Sequence, residues 1–117
     1  MSIRPTEGVP GAGPAEVHGL IGQGAIVVDV REQFEWDAGH APMARHIPLG
    51  SLADAVDGLP KDKHLVLVCR SGGRSARATA FLVESGFQAT NLDGGMKAWA
   101  EAGLPVESDD GTPGVIA

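Results

Sequence analysis

The sequence predicts a three-layer α/β domain built on a parallel sheet, and three observations carry that expectation. Residues 25–30 and 64–69 are short, β-branched and nearly all apolar, the pattern of strands covered on both faces. Stretches with helical spacing, closed by glycine, alternate with these runs along the chain. A length of 117 residues, 43% of them apolar and 21% charged, supports one self-sufficient globular core.

Taken in order, residues 1–13 are rich in Gly and Pro and offer little to bury, so they read as a flexible lead-in, although Ile3-Arg4 could supply a short first strand. Pro14 suits a first helical turn, with Glu16, Val17, Leu20 and Ile21 following and Gly22 and Gly24 ending it. The strand at 25–30 comes next. Residues 31–39 are polar with Phe34 and Trp36 inserted, consistent with a short helix or a structured loop. Residues 45–49 read as an edge segment because Pro48 cannot donate to a ladder. Ser51 is placed to cap a helix through Val56, with Leu52, Ala55 and Val56 on one face and Gly58 behind it. The strand at 64–69 leads through a glycine turn into a helix over 75–85, stopped by Gly86. Residues 87–92 fit a further strand and 96–102 a last amphipathic helix carrying Trp99 and ended by Gly103. The domain is expected over 14–107, with 108–117 an acidic, flexible tail.

Composition limits the chemistry. A single cysteine, Cys69, excludes an internal disulfide, a CxxC pair and a multi-cysteine zinc site. Fifteen acidic residues against nine basic ones give a net charge of −6, which argues against nucleic acid and anionic membrane as partners. The longest aliphatic runs are one strand long, too short to span a bilayer. The first eight residues lack the apolar stretch of a secretory signal, so a reducing cytoplasm is the expected compartment.

One loop concentrates the remaining signal. Cys69-Arg70-Ser71-Gly72-Gly73-Arg74-Ser75 lies between the clearest strand and a helix, at the strand end where open α/β sheets build sites. Its glycines allow successive amides to turn inward as an anion-binding nest beside a helix N-terminus. Arg70, Arg74 and Arg77 place a local +3 within residues 70–77, and no acidic residue occurs between Cys69 and Glu84. Cations in a helix's first turn oppose its dipole at about 0.3–1 kcal/mol each, so the arrangement makes sense if an anion occupies the loop. The same field favours the Cys69 thiolate, which is the nucleophilic form. Asp29 and Arg31 follow the other buried strand and either line or brace this site or form a structural ion pair.

These residues resemble the rhodanese-homology domain. Val28-Asp29-Val30-Arg31-Glu32, Glu35-Trp36 and Gly39-His40 resemble that family's first signature, and Ile47-Pro48-Leu49 the segment leading out of it. The Cys69–Ser75 loop resembles its active-site loop, and residues 91–99 its C-terminal signature. Met43 stands where the family often has a glycine. The resemblance covers about residues 14–107 and implies an α/β/α fold with a central, mostly parallel five-stranded sheet.

It also implies a single-domain thiosulfate sulfurtransferase. Cys69 would take sulfur from thiosulfate or another sulfane donor and hold it as a persulfide in the loop from Arg70 to Ser75. An external thiol, cyanide or a protein would accept that sulfur, with no cofactor and no metal. Two other readings stay open. One is a non-enzymatic rhodanese-like binding or regulatory module. The other is a cysteine phosphatase or arsenate reductase, disfavoured because only four residues separate Cys69 from Arg74 and because Val68 stands where those enzymes carry histidine. His40, His46 and His64 read as loop or packing residues, and Trp36 and Trp99 as packing residues.

Overall fold

The computed structural model describes residues 8–117. The proposed strand at Ile3-Arg4 and the first seven residues of the lead-in lie outside the described residues. Five parallel strands make one sheet: β1 (Gly11–Ala12), β2 (Ile26–Asp29), β3 (Arg45–His46), β4 (Leu65–Val68) and β5 (Ala89–Leu92), in the order β1-β5-β4-β2-β3. The helices are α1 (Pro14–Gly22), α2 (Gln33–Ala38), α3 (Leu52–Ala55), α4 (Gly73–Glu84) and α5 (Gly95–Glu101). This is the parallel α/β sandwich that the alternation of elements predicts.

Side chains alternate across the two faces of the sheet, as a period of two requires. In β4, Leu65 and Leu67, followed by Cys69, pack with Leu52 of α3 and Ala78 and Leu82 of α4. Val66 and Val68 face the opposite layer, with Val17 of α1 and Met96 and Trp99 of α5. Val28 and Val27 of β2 divide in the same way. Both layers are therefore closed by helices, which explains why the central strands carry apolar residues without polar alternation.

Three local outcomes differ from expectation. β1 falls inside the segment read as lead-in: Pro10 and Ala12 carbonyls accept the Asn91 and Asp93 amides at 2.8 and 2.9 Å. Ser51 does not act as a side-chain cap. Its amide donates to the Pro48 carbonyl in a 3-10 turn, which leaves its own backbone helical rather than extended as a cap requires, so the helix shrinks to α3 between two such turns. The stretch over 108–117 is laid back on the domain instead of running free. Glu107 and His40 exchange backbone bonds at 2.9 Å, the Val115 amide donates to Ala38 O at 3.0 Å, and Ile116 packs against the α1/α5 layer. Asp110 closes the intervening turn by accepting from the Ser108 and Thr112 hydroxyls, which holds its carboxyl down at about 2.

A histidine–tryptophan stack anchors this strap. His40 lies 3.5 Å above Trp36 with nearly parallel rings, and His46 stacks at 4.8 Å. Trp36 Nε1 and His40 Nε2 both meet Asp109 Oδ1, at 3.2 and 2.8 Å. Met43, in place of a glycine, causes no strain, since no non-glycine residue among those described has a positive φ. Gly39 does matter, because a Cβ there would sit 2.7 Å from both Val115 N and Val115 O. Gly39→Ala is therefore expected to push the strap off the domain and lower stability by about 1–3 kcal/mol, read as a lower urea midpoint.

Candidate functional site

The carboxyl ends of β2, β4 and β5 converge at one edge of the sheet, and Cys69 is the first residue beyond β4. The point where chain order reverses lies between β4 and β2, the usual place for a ligand crevice in such sheets. Cys69 is 1% exposed. Its Sγ accepts the Gly72 amide at 3.1 Å and lies 3.3 Å from Ser75 Oγ.

Gly72 makes the turn possible. Its φ of +107° is left-handed, and it stands immediately before α4, so the helix begins two residues earlier than its apolar spacing suggests. The first-turn amides thereby join the loop around the sulfur. Burial by itself pushes the Cys69 thiol up. The Ser75 hydroxyl and the amides of Ser75, Gly72 and Ser71 outweigh that effect and hold the thiol below its ordinary value.

A second layer supports the loop from behind. The Met96 and Lys97 amides of α5 donate to Cys69 O and Arg70 O at 2.7 and 3.0 Å. Gly95, with φ +62°, permits this approach: a Cβ on it would lie 2.5 Å from Arg70 O and 2.6 Å from Cys69 O. Asn91 of β5 is fully buried and donates to Gly72 O at 3.2 Å.

The predicted residues divide sharply. Cys69 through Ser75 form one continuous cradle. Arg74, however, is engaged by Glu35 of α2 in a two-pronged pair at 2.7 and 2.8 Å. Glu35 Oε1 also accepts the Glu32 amide at 3.0 Å, so one carboxylate ties the α2 cap to the loop. The hydrogen bond from Arg74 holds the Glu35 carboxyl below its usual range despite burial. Arg70 and Arg77, both exposed, lie near the loop outside this pair. Arg70 Nε donates to Ala117 O at 3.1 Å.

Asp29 and Arg31 form a fully buried ion pair, Arg31 Nη2 meeting Asp29 Oδ2 at 2.7 Å. Arg31 Nη2 also donates to Gly39 O at 2.8 Å, while Arg31 Nη1 has no hydrogen-bond partner among the described residues. Their contacts are those of a brace for the β2–α2 connection. Among the described residues, no histidine hydrogen-bonds the Cys69 sulfur: His46 meets Arg31 O at 2.8 Å and His64 meets Thr90 Oγ1 at 2.6 Å. Among the described residues, no cluster of three His, Cys, Asp or Glu is placed to hold a metal ion, and no helix is long and apolar enough to cross a membrane.

Sequence reasoning assigned no role to Glu35 or Asn91. The Glu35 signal was present as an acid near the first buried strand, able to neutralise an arginine 39 residues away. Asn91 was legible only as a polar residue at the end of an apolar strand.

Two outcomes test this construction. Gly95→Ala should displace the Cys69–Arg70 carbonyls and slow alkylation of Cys69 by iodoacetamide on the order of tenfold or more near neutral pH. Because the Glu35 carboxyl is depressed in the folded state, its contribution is present above the unfolded carboxyl value of about 4.3 and is lost as pH falls through the folded one. Glu35→Gln should therefore lower stability at neutral pH by about 1–2 kcal/mol, discounted for the partly solvated Arg74, and approach the parent protein at acid pH in urea titrations.

Comparison with known proteins agrees with this geometry. Residues 13–102 match the Rhodanese-like domain family. A sulfurtransferase of Allochromatium vinosum is 38% identical over 87 residues, 74% of this chain and 81% of that protein. The thiosulfate sulfurtransferase GlpE of Pseudomonas fluorescens is 35% identical over 99 residues, covering 84% and 90%. The crystal structure of a rhodanese-related protein from Thermoplasma volcanium superposes with a TM-score of 0.79 at 33% identity, covering 84% of this chain and 97% of that one. With a family match across most of its length, the chain belongs to the rhodanese-like domain family.

Proposed function

We propose that this protein is a rhodanese-type sulfurtransferase that takes sulfane sulfur from thiosulfate, or a donor like it, and passes it to an external thiophile through a persulfide on Cys69. The observation that carries the reading is the Cys69 sulfur held among the loop amides, with its thiol shifted toward the anion. In the first step the Cys69 thiolate attacks the outer sulfur of thiosulfate. The Sγ–S bond forms as the donor S–S bond breaks, and sulfite leaves with the electron pair. The outer sulfur of the persulfide keeps one negative charge, stabilised by amides from Arg70 to Ser75 that are already oriented.

In the second step cyanide, a thiolate or a protein cysteine attacks that outer sulfur and Cys69 leaves as thiolate. Both half-reactions are two-electron displacements at sulfur and need neither metal nor organic cofactor. With one cysteine in 117 residues, no second thiol of this chain can resolve the persulfide, so it waits for its acceptor. Arg70 stands at the rim to receive an anionic donor, and Asp29 with Arg31 braces the neighbouring loop. A thiol that must stay reduced between turnovers suits the cytoplasm.

Thiosulfate treatment should add the mass of one sulfur atom at Cys69, and subsequent cyanide should release thiocyanate. Cys69→Ala should abolish both signals. Absence of both in the parent protein would exclude the reading, and release of nitrophenol from p-nitrophenyl phosphate would move it to the phosphatase class.

A further inference from the structure

The Ser75 hydroxyl has two acceptors and one proton. Ser75 Oγ lies 2.5 Å from Asn91 Oδ1 and 3.3 Å from Cys69 Sγ. The orientation of the Asn91 amide is set by its other end, where Nδ2 faces the oxygens Gly72 O at 3.2 Å and Asp93 Oδ1 at 3.3 Å. Among the described residues, Ser75 is the donor that satisfies Oδ1. Asn91 is completely buried, and so is Ser75, so no solvent replaces a lost partner.

We propose that Asn91 is a positioning residue that competes with the Cys69 sulfur for the Ser75 proton, favouring the thiol and the persulfide over the free thiolate. When Cys69 is a thiol, its S–H donates to Ser75 Oγ and the Ser75 hydroxyl donates to Asn91 Oδ1, so every group is paired. When the thiol proton leaves to solvent, the Ser75 hydroxyl turns to the sulfur anion and strips Asn91 Oδ1 of its donor. Persulfide formation moves the charge to the outer sulfur, leaving Sγ neutral and a weak acceptor, and the hydroxyl returns to Asn91. The buried amide thus adds a penalty in the one state that attacks donor sulfur. A less stabilised thiolate is the stronger nucleophile. The persulfide half of this inference rests on the sulfurtransferase reading, whereas the thiol half does not.

The test titrates Cys69 by the pH dependence of its alkylation by iodoacetamide, with no sulfur donor present. Asn91→Leu, of similar size, should move the alkylation midpoint down by about half to one pH unit, a roughly 3–10-fold change in thiolate fraction below the midpoint. In a Ser75→Ala background the same substitution should produce no downward shift. A purely structural role gives the opposite sign, because losing the Asn91 bond to Gly72 O slackens the amide that donates to sulfur and moves the midpoint up. An unchanged or raised midpoint in Asn91→Leu, or a downward shift that persists without the Ser75 hydroxyl, would overturn the proposal. If Asn91→Leu does not fold, Asn91→Asp carries the test: it keeps an acceptor at Oδ1, should raise the midpoint, and should raise it less once Ser75 is Ala. An equal rise in both backgrounds counts against the competition. Failure of the parent protein to form a persulfide would remove the sulfurtransferase reading and leave these titrations intact.

Discussion

The site depends on a pair of backbone hydrogen bonds that do not touch the sulfur at all. Met96 and Lys97, at the start of α5, hold the carbonyls of Cys69 and Arg70. A planar peptide unit points its C=O and N–H in opposite directions, so carbonyls fixed toward α5 direct the following amides toward the thiol side. Two glycines let α5 come this close. Gly95 accepts a left-handed φ with no Cβ to strike Arg70, and Gly94, at φ +79°, leaves room for Ala98. The C-terminal glycine pair and the cysteine loop are thus two halves of one structure, brought together by the parallel pairing of β4 with β5.

Electrostatics builds on that frame rather than creating it. The protein as a whole is acidic, and Arg74, in the middle of the cradle, is spent on Glu35. What this pair supplies is position, since it clamps the first turn of α4 to α2 across the mouth of the loop. Arg70 and Arg77 remain to shape the local field. Charges beyond roughly 8–10 Å are screened at physiological ionic strength, so an arriving small anion senses these cations more than the net charge of the chain. Local sign and global sign can differ without conflict.

The legibility of each part follows from how its information is carried. The two central strands were plain because burial on both faces demands contiguous apolar residues, and a run such as Leu65-Val66-Leu67-Val68 has no other economical use. β1 was hidden because Gly11 and Ala12 have no pattern of their own; they become a strand only when β5 offers amides and a carbonyl edge. The strap over 107–116 was hidden for a related reason, since beyond the packing of Ile116 its docking rests on backbone bonds and on Asp109 meeting Trp36 and His40, none of which raises its hydrophobicity. Within the site, the cysteine loop was readable because its cradle is contiguous in sequence. Glu35 and Asn91 reach it from other elements, and a linear pattern does not reveal which polar residue will cross a sheet edge. The cluster of arginines could be counted, but which one was already paired depended on the position of α2.

Holding sulfur by amides has a consequence for the two-stage transfer proposed above. A thiolate stabilised by one cation is tied to one position of the negative charge. On persulfide formation that charge moves one bond outward, and a fixed ion pair tuned to the first position is stretched at the second. The loop around Cys69 offers several donors spaced along a turn, among them the amides of Ser71, Gly72 and Ser75, so in the proposed transfer the charge is not tied to a single cation. Near-complete burial of Sγ strengthens each of these dipoles by excluding water. On the proposed mechanism the neutral cradle also accounts for the commitment of Arg74 to Glu35: the arginine would shape the ring of amides, and the ring would hold the charge.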